Sequence, residues 1–236
     1  MDRRRKMDMM IGIGSLTAFT AWTMLIKLVD VEAAGVNGTK IGFAAINLWF
    51  HKITGVHMTI YTITDWLGLL PVLICLCFGV YGAVQLIKRK KLLLVDPDIV
   101  LLGVYYIIVI AAYLFFEMVP INYRPILIDG MQEASYPSST TLLVLSVMPT
   151  LIFQVARRSK SPVLRKATTL FAILFSSFMV VGRLIAGVHW VTDIIGSVLL
   201  SAGLYNLYRY SVAQVDRKHQ KLQGITEWNS MKNCKN

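Results

Sequence analysis

Gly182-Arg183-Leu184-Ile185-Ala186-Gly187-Val188-His189-Trp190-Val191-Thr192-Asp193 places an arginine, a histidine and an aspartate inside otherwise apolar sequence. Apolar segments flank it on both sides, at about 167–186 and 190–210, each near the roughly 20 residues that cross a bilayer. The stretch therefore reads as a tight junction between two membrane helices. Ionisable groups at membrane depth are costly and mark function by default. His189 and Asp193 are four residues apart, which puts them on one helical face. There a carboxylate can hold an imidazole in one tautomer and stabilise its charged form. Arg183 offers a planar fork suited to phosphate oxygens.

The rest of the chain has the same apolar character. Of its 236 residues, 56% are hydrophobic, more than a soluble domain carries. Six membrane spans are expected, at about 10–29, 65–87, 99–118, 140–156, 167–186 and 190–210. A seventh apolar stretch, about 41–61, contains His51, Lys52 and His57, with Phe43, Ile46, Phe50, Ile53 and Ile60 at roughly helical spacing. It reads as an interfacial or re-entrant helix and not as a span. The expected fold is all-α: an integral membrane bundle of six transmembrane helices plus one interfacial helix. Residues 1–210 form the membrane domain and 211–236 a polar, basic cytoplasmic tail.

The net charge of +11 is an orientation signal. Nineteen of the 24 basic residues cluster at Arg3–Lys6, Lys88–Lys91, Arg157–Lys166 and from Arg209 onward. The positive-inside rule then sets both termini and the 88–98 and 157–166 loops in the cytoplasm of a multi-pass cell-membrane protein. Such charge attracts anionic membrane lipids and gives no reason to expect a nucleic-acid partner. The 30–64 segment, the 119–139 loop and the turn near 187–190 fall on the outer face. That brings Arg124, the Pro137 region and His189 to one side of the membrane.

Local punctuation supports this division. Asp96-Pro97-Asp98 and Ser161-Pro162 read as turns and caps that open spans. Pro137-Ser138-Ser139-Thr140-Thr141 opens the fourth span with hydroxyls where a helix N-terminus has unpaired N–H groups. The first span follows a basic start without a clear cleavage site and reads as a retained anchor. Cys75, Cys77 and Cys234 have neither disulfide nor zinc spacing. His51 and His57 read as interfacial, with no metal role.

Asn122-Tyr123-Arg124-Pro125 lies in the outer loop after the third span. Arg124, Arg183 and the Ser138, Ser139 and Thr140 amides and hydroxyls make a phosphate cradle. His189 supplies a nucleophile and Asp193 its orienter. In these residues the chain resembles the type 2 phosphatidic acid phosphatase superfamily, which includes lipid phosphatases and vanadium haloperoxidase-like proteins. That family's signature has three blocks: Lys-x6-Arg-Pro, Pro-Ser-Gly-His and Ser-Arg-x5-His-x3-Asp. The third stands here as Gly182-Arg183-x5-His189-x3-Asp193, the second as Pro137-Ser138-Ser139-Thr140, and the first keeps Arg124-Pro125 with Glu117 at the lysine position.

The resemblance implies a metal-independent, cofactor-free membrane hydrolase acting on a lipid phosphate or diphosphate at the outer leaflet. It implies His189 as the phosphohistidine nucleophile, Asp193 as its partner and Arg124 and Arg183 as the phosphate clamp. Ser138, Ser139 and Thr140 are then phosphate contacts. Thr140, standing where the family has histidine, cannot act as a general acid near neutral pH. General acid catalysis is typically worth about 10²–10⁴-fold. An alkoxide leaving group needs that proton, whereas phosphate leaving from a diphosphate is already a stable anion. Lipid diphosphates, such as an isoprenoid diphosphate, are therefore the expected preference. Glu117 is the candidate replacement acid if burial raises its pKa. A second reading is an impaired family member that binds or transports a phospholipid. Against it stands the oriented nucleophile, which binding alone does not need.

Overall fold

Eight α-helices make up the computed structural model of the chain, which describes residues 3–233. They are α1 (Arg3–Leu28), α2 (Ala44–Thr54), α3 (Met58–Leu67), α4 (Leu69–Arg89), α5 (Pro97–Met118), α6 (Ser139–Arg158), α7 (Pro162–Ile185) and α8 (Val191–Asn233). Isolated bridges such as Tyr123 with Ala134 are the only β pairing among the described residues. Six segments are long and apolar enough to cross a membrane: α1, α3 with α4, α5, α6, α7 and Val191–Lys218 of α8. The all-helical, six-span reading of the sequence holds.

Two boundaries differ from the expectation. The second span starts at Met58, because α3 and α4 run on across Gly68 as one 32-residue segment. Residues 58–61 therefore belong to that span, and the short helix at the membrane surface is α2 alone. Gly55, at φ 69°, ends α2 and separates the two. Helix α8 continues through most of the 211–236 tail, and residues 234–236, including Cys234, lie outside the described residues.

Proline at the first helical position opens α5 and α7. Ser161 caps α7 by accepting from the Leu164 N–H at 3.3 Å. Asp96 holds the N-cap position of α5 without capping it. Its carboxylate accepts instead from Arg89 at 2.8 Å and Gln85 at 2.9 Å, where a charged donor outcompetes a neutral N–H.

The core lies along α6 and α8. Half of the apolar window of each is buried, against 11% for the α3–α4 span, so those two helices form the centre and the others their lipid-facing ring. In a medium without water each polar group needs an internal partner. Tyr105 donates to the Ser146 carbonyl at 3.0 Å, and the Tyr106 and Thr150 hydroxyls meet at 2.7 Å, tying α5 to α6. Helix α1 packs antiparallel along α8: Arg5 reaches Gln214 at one end, and Trp22 donates to the Thr192 carbonyl at the other.

The two ends of the bundle differ. One gathers α2, the 119–138 loop, the start of α6 and the α7–α8 junction. The other gathers the start of α1 and the ends of α4 and α6, with Asp96, Asp98, Arg157, Arg158 and Asp216 in ion pairs.

Candidate active site

The α7–α8 junction is a turn that few sequences could make. Gly187 sits at φ 70°, and a Cβ there would collide with the Gly55 carbonyl. His51 bonds the Gly187 carbonyl through Nε2 at 3.1 Å, so α2 pins the turn from outside. Asn47, itself buried, donates to Thr192 at 3.0 Å and fixes the start of α8. Trp190 donates through Nε1 to the Tyr123 carbonyl at 2.8 Å, binding the 119–138 loop to the same corner.

That turn aims His189 into the protein, where it is 4% exposed. Its Nδ1 faces the Ser135 carbonyl at 3.1 Å. A carbonyl can only accept, so Nδ1 carries the proton and Nε2 presents its lone pair. Asp193 stands 3.6 Å from Nδ1, near enough for charge and too far for a hydrogen bond. Its Oδ2 accepts instead from the Trp190 N–H at 2.9 Å, at the opening of α8, and Asn122 approaches Oδ1 at 3.5 Å. The pair meets across the start of α8, with His189 in the turn before the helix and not on a helical face shared with Asp193, and the backbone of Ser135 orients the imidazole. Burial, with the Arg124 and Arg183 charges behind it, lowers the His189 pKa well below the ordinary value; the Ser135 bond opposes this only in part.

Arg183 comes from the last turn of α7 and is 1% exposed. Its Nη2 lies 3.3 Å from His189 Nε2. Arg124 comes from the loop, held by its own N–H donating to the Glu133 carbonyl at 3.0 Å. Both guanidiniums lie over one aromatic ring, that of Tyr61 on α3, at 4.9 Å and 5.9 Å. Nε and Nη1 of both arginines are buried without a hydrogen-bond partner. Carboxylates are near: Glu133 lies 3.0 Å from Arg124 Nε, out of line with its N–H, and the exposed Asp65 lies 3.6 Å from Arg183 Nη1.

Ser138 precedes α6 but gives it no side-chain cap. Its hydroxyl donates to Thr141 at 3.1 Å and its N–H points to the Asp193 carbonyl at 3.4 Å, so both of its donors already face protein atoms. Ser139 shares a narrow crevice with His189, Tyr113 and Glu117. Thr140 and Ser139 also head a mostly apolar groove of about 470 Å³ between α4, α5 and α6, walled by Val72, Val109 and Leu143 with Asp65 at its mouth. Arg124, Arg183, His189, Asp193, Ser139, Thr140 and Glu117 thus gather at one end of the bundle, with Ser138 beneath them.

Tyr61, Asp65 and the Ser135 carbonyl are additions from the structure. Tyr61, Thr64, Asp65 and Gly68 recur at helical spacing, a polar stripe in an apolar span that would have marked this face. The stripe also accounts for Gly182, where the resembled family has serine. A Cβ at Gly182 would come within 2.7 Å of Thr64 Cγ2, so α3 occupies that space.

This arrangement can hold a tetrahedral oxyanion between two guanidiniums, with an imidazole lone pair on one side and an apolar groove on another. The profile of the PAP2 superfamily matches residues 98–217. Among solved structures, the chain is similar to a transmembrane PAP2-type phosphatidylglycerolphosphate phosphatase from Bacillus subtilis. The TM-score is 0.60 at 18% identity, covering 89% of this chain and 98% of that one. No curated protein matches the sequence.

Proposed function

The chain belongs to the PAP2 superfamily, and from that premise we propose that it is a lipid phosphatase working through a phosphohistidine on His189. The observation that carries the reading is the set of four buried guanidinium nitrogens, Nε and Nη1 of Arg124 and Arg183, without hydrogen-bond partners beside His189 Nε2. A buried donor left unmade costs about 1–3 kcal/mol, more when charged. Phosphate oxygens are acceptors suited to such charged donors.

In the first step His189 Nε2 attacks phosphorus. An N–P bond forms, the bond from phosphorus to the leaving oxygen breaks, and that oxygen keeps the electron pair. The phosphorylated imidazole keeps its proton on Nδ1, donated to the Ser135 carbonyl, and becomes cationic, with Asp193 at 3.6 Å offsetting the charge. Water then attacks phosphorus: an O–P bond forms, the N–P bond breaks with its electron pair returning to Nε2, the proton of the water passes to solvent, and phosphate leaves with His189 neutral again. Arg124 and Arg183 stabilise the equatorial oxygens in both steps. The free N–H groups at the start of α6, near Ser139 and Thr140, add a helix-terminus contribution. The apolar groove below them takes the lipid chain.

With Thr140 in place of a histidine acid, the reading favours a lipid diphosphate, whose leaving phosphate needs no proton. Glu117 is exposed rather than buried, contrary to the condition set for it as a replacement acid; what supports that role is only that it lines the crevice that reaches His189 and Ser139. The charge distribution supports a site on the outer face with both termini inside. Thr140 and the two carboxylates near the clamp favour a second reading, a relative that binds a phospholipid without turning it over.

One experiment separates these. Phosphate release is measured without added metal from an isoprenoid diphosphate, phosphatidic acid and phosphatidylglycerolphosphate, for wild type, His189→Ala and Glu117→Gln. The proposal expects release that His189→Ala abolishes and the highest rate on the diphosphate. Glu117→Gln is expected to slow the monoesters more than the diphosphate. Equal rates on all substrates would sink the leaving-group argument. Folded wild-type protein that binds the lipids without release would establish the second reading.

A further inference from the structure

At the end of the bundle away from His189, a pocket of about 180 Å³ opens between α1, α6 and α8. Arg4, Arg5, Arg157 and Arg209 line it with Asp8 and Asp216. Asp216 lies between the two ends of the Arg157 fork at 2.8 Å and 3.0 Å, and Arg209 meets Asp8 at 3.2 Å. Those pairs consume both carboxylates. Arg4 and Arg5 remain without an acid partner among the described residues.

Arg5 is the telling one. It is 6% exposed, its Nε is buried without a partner, and among the described residues its side chain bonds only the neutral Gln214, at 3.3 Å. Burying a guanidinium against an amide alone is expensive, and an anion removes the cost. The floor of the pocket is apolar, with Phe153 and Val212. Met7 and Ile11 lie one and two turns along α1 from Arg4, on its face, and both are exposed. An anion seated on Arg4 and Arg5 is therefore continuous with an apolar strip running into the bundle's lipid-facing side.

We propose that this pocket is a second lipid site, which binds the phosphate of an anionic phospholipid headgroup. Basic pockets between membrane helices are suited to such headgroups. The site is separate from the catalytic one: Asp193 and Asp216 are 23 residues apart on one helix, about 35 Å at 1.5 Å per residue. The bound lipid bridges α1 to α6 and α8. Helix α1 gains from this because only 17% of its apolar window is buried. Its far end carries Trp22 and Thr23, which bond Thr192 and Tyr136 beside the active site.

The test uses full-length protein stripped of lipid in a neutral detergent, with thermal unfolding followed after adding phosphatidylglycerol, phosphatidylcholine or inorganic phosphate. At saturating phosphatidylglycerol the expected rise in Tm is about 5 °C or more. Phosphatidylcholine and inorganic phosphate are expected to give little. Arg5→Gln is expected to lose at least half of the rise. If Arg5→Gln does not fold, Arg4→Gln, whose side chain is exposed, carries the test with the same expectation. Equal shifts from both lipids would overturn the proposal. So would a full shift from inorganic phosphate alone, or a phosphatidylglycerol shift that survives intact in the folded variants.

Discussion

Two arginine clusters sit at opposite ends of one bundle, and they are built differently. At one end Arg157 is forked onto Asp216 at 2.8 Å and 3.0 Å and lies 3.2 Å from Asp98, while Arg158 shares Asp98 at 2.9 Å. At the other end Arg183 is 1% exposed, and its nearest carboxylate, 3.6 Å away, belongs to the solvent-exposed Asp65. It also lies over the Tyr61 ring and beside the His189 imidazole. The residue type is the same at both ends. What separates a structural arginine from one placed to bind is whether the fold supplies its acceptors.

The sharpest way to break that contrast is to remove one arginine from each end. Arg183→Ala is expected to lower kcat/KM about 10²–10³-fold, as removal of a transition-state donor does. Arg157→Ala is expected to leave kcat/KM within about 3-fold and to cost at most ~1 kcal/mol, since its side chain is 34% exposed and solvent screens the pair. Comparable losses of activity in both would erase the distinction.

Tyr61 sharpens the comparison within the site. Two like charges are brought together there over one ring. Tyr61→Phe keeps the ring and is expected to retain activity within about 3-fold, while Tyr61→Leu is expected to lose about tenfold, a cation–π contribution of ~1 kcal/mol or more. Equal losses in both variants would assign the role to the hydroxyl.

The smallest expected effect is on pH dependence. Burial, then the Arg124 and Arg183 charges, lower the His189 pKa, so the imidazole stays neutral and nucleophilic at pH values where a free histidine of pKa about 6.5 is protonated. The acid limb of kcat/KM is therefore expected below pH 6.5, moving upward in Arg124→Gln and staying in place in Arg157→Gln. The same shift has a stability consequence. A histidine held neutral contributes above its unfolded pKa and loses that contribution as pH falls below about 6.5. An acid limb at or above 6.5 in wild type would contradict the geometry around His189.

Much of this was legible in the sequence, for physical reasons. Bilayer thickness makes long apolar runs unmistakable, and basic clusters at Lys88–Lys91 and Arg157–Lys166 assign ends to them. Arg183 and His189 stand out because charge in an apolar run is rare. Backbone contributions leave no such trace: the Ser135 carbonyl that orients His189 would be there with any side chain at 135. Asp193 does come near His189, but His189 lies in the turn before α8 and not on a shared helical face, and spacing could not foresee that the opening of α8 claims the carboxylate through the Trp190 N–H. Tyr61 and Asp65 were hidden because the apolar periodicity of 41–61 merges with the second span, and only the break at Gly55 separates them.

The central claim is that His189, beside a clamp of under-partnered arginines, takes the phosphoryl group covalently. Its most direct test is to mix wild-type protein with a lipid diphosphate radiolabelled in the transferred phosphate, quench in base within one turnover and measure label on the protein. The account predicts a base-stable, acid-labile label on wild type and none on His189→Ala. Rapid turnover with no protein-bound label, together with activity retained in His189→Ala, would contradict it.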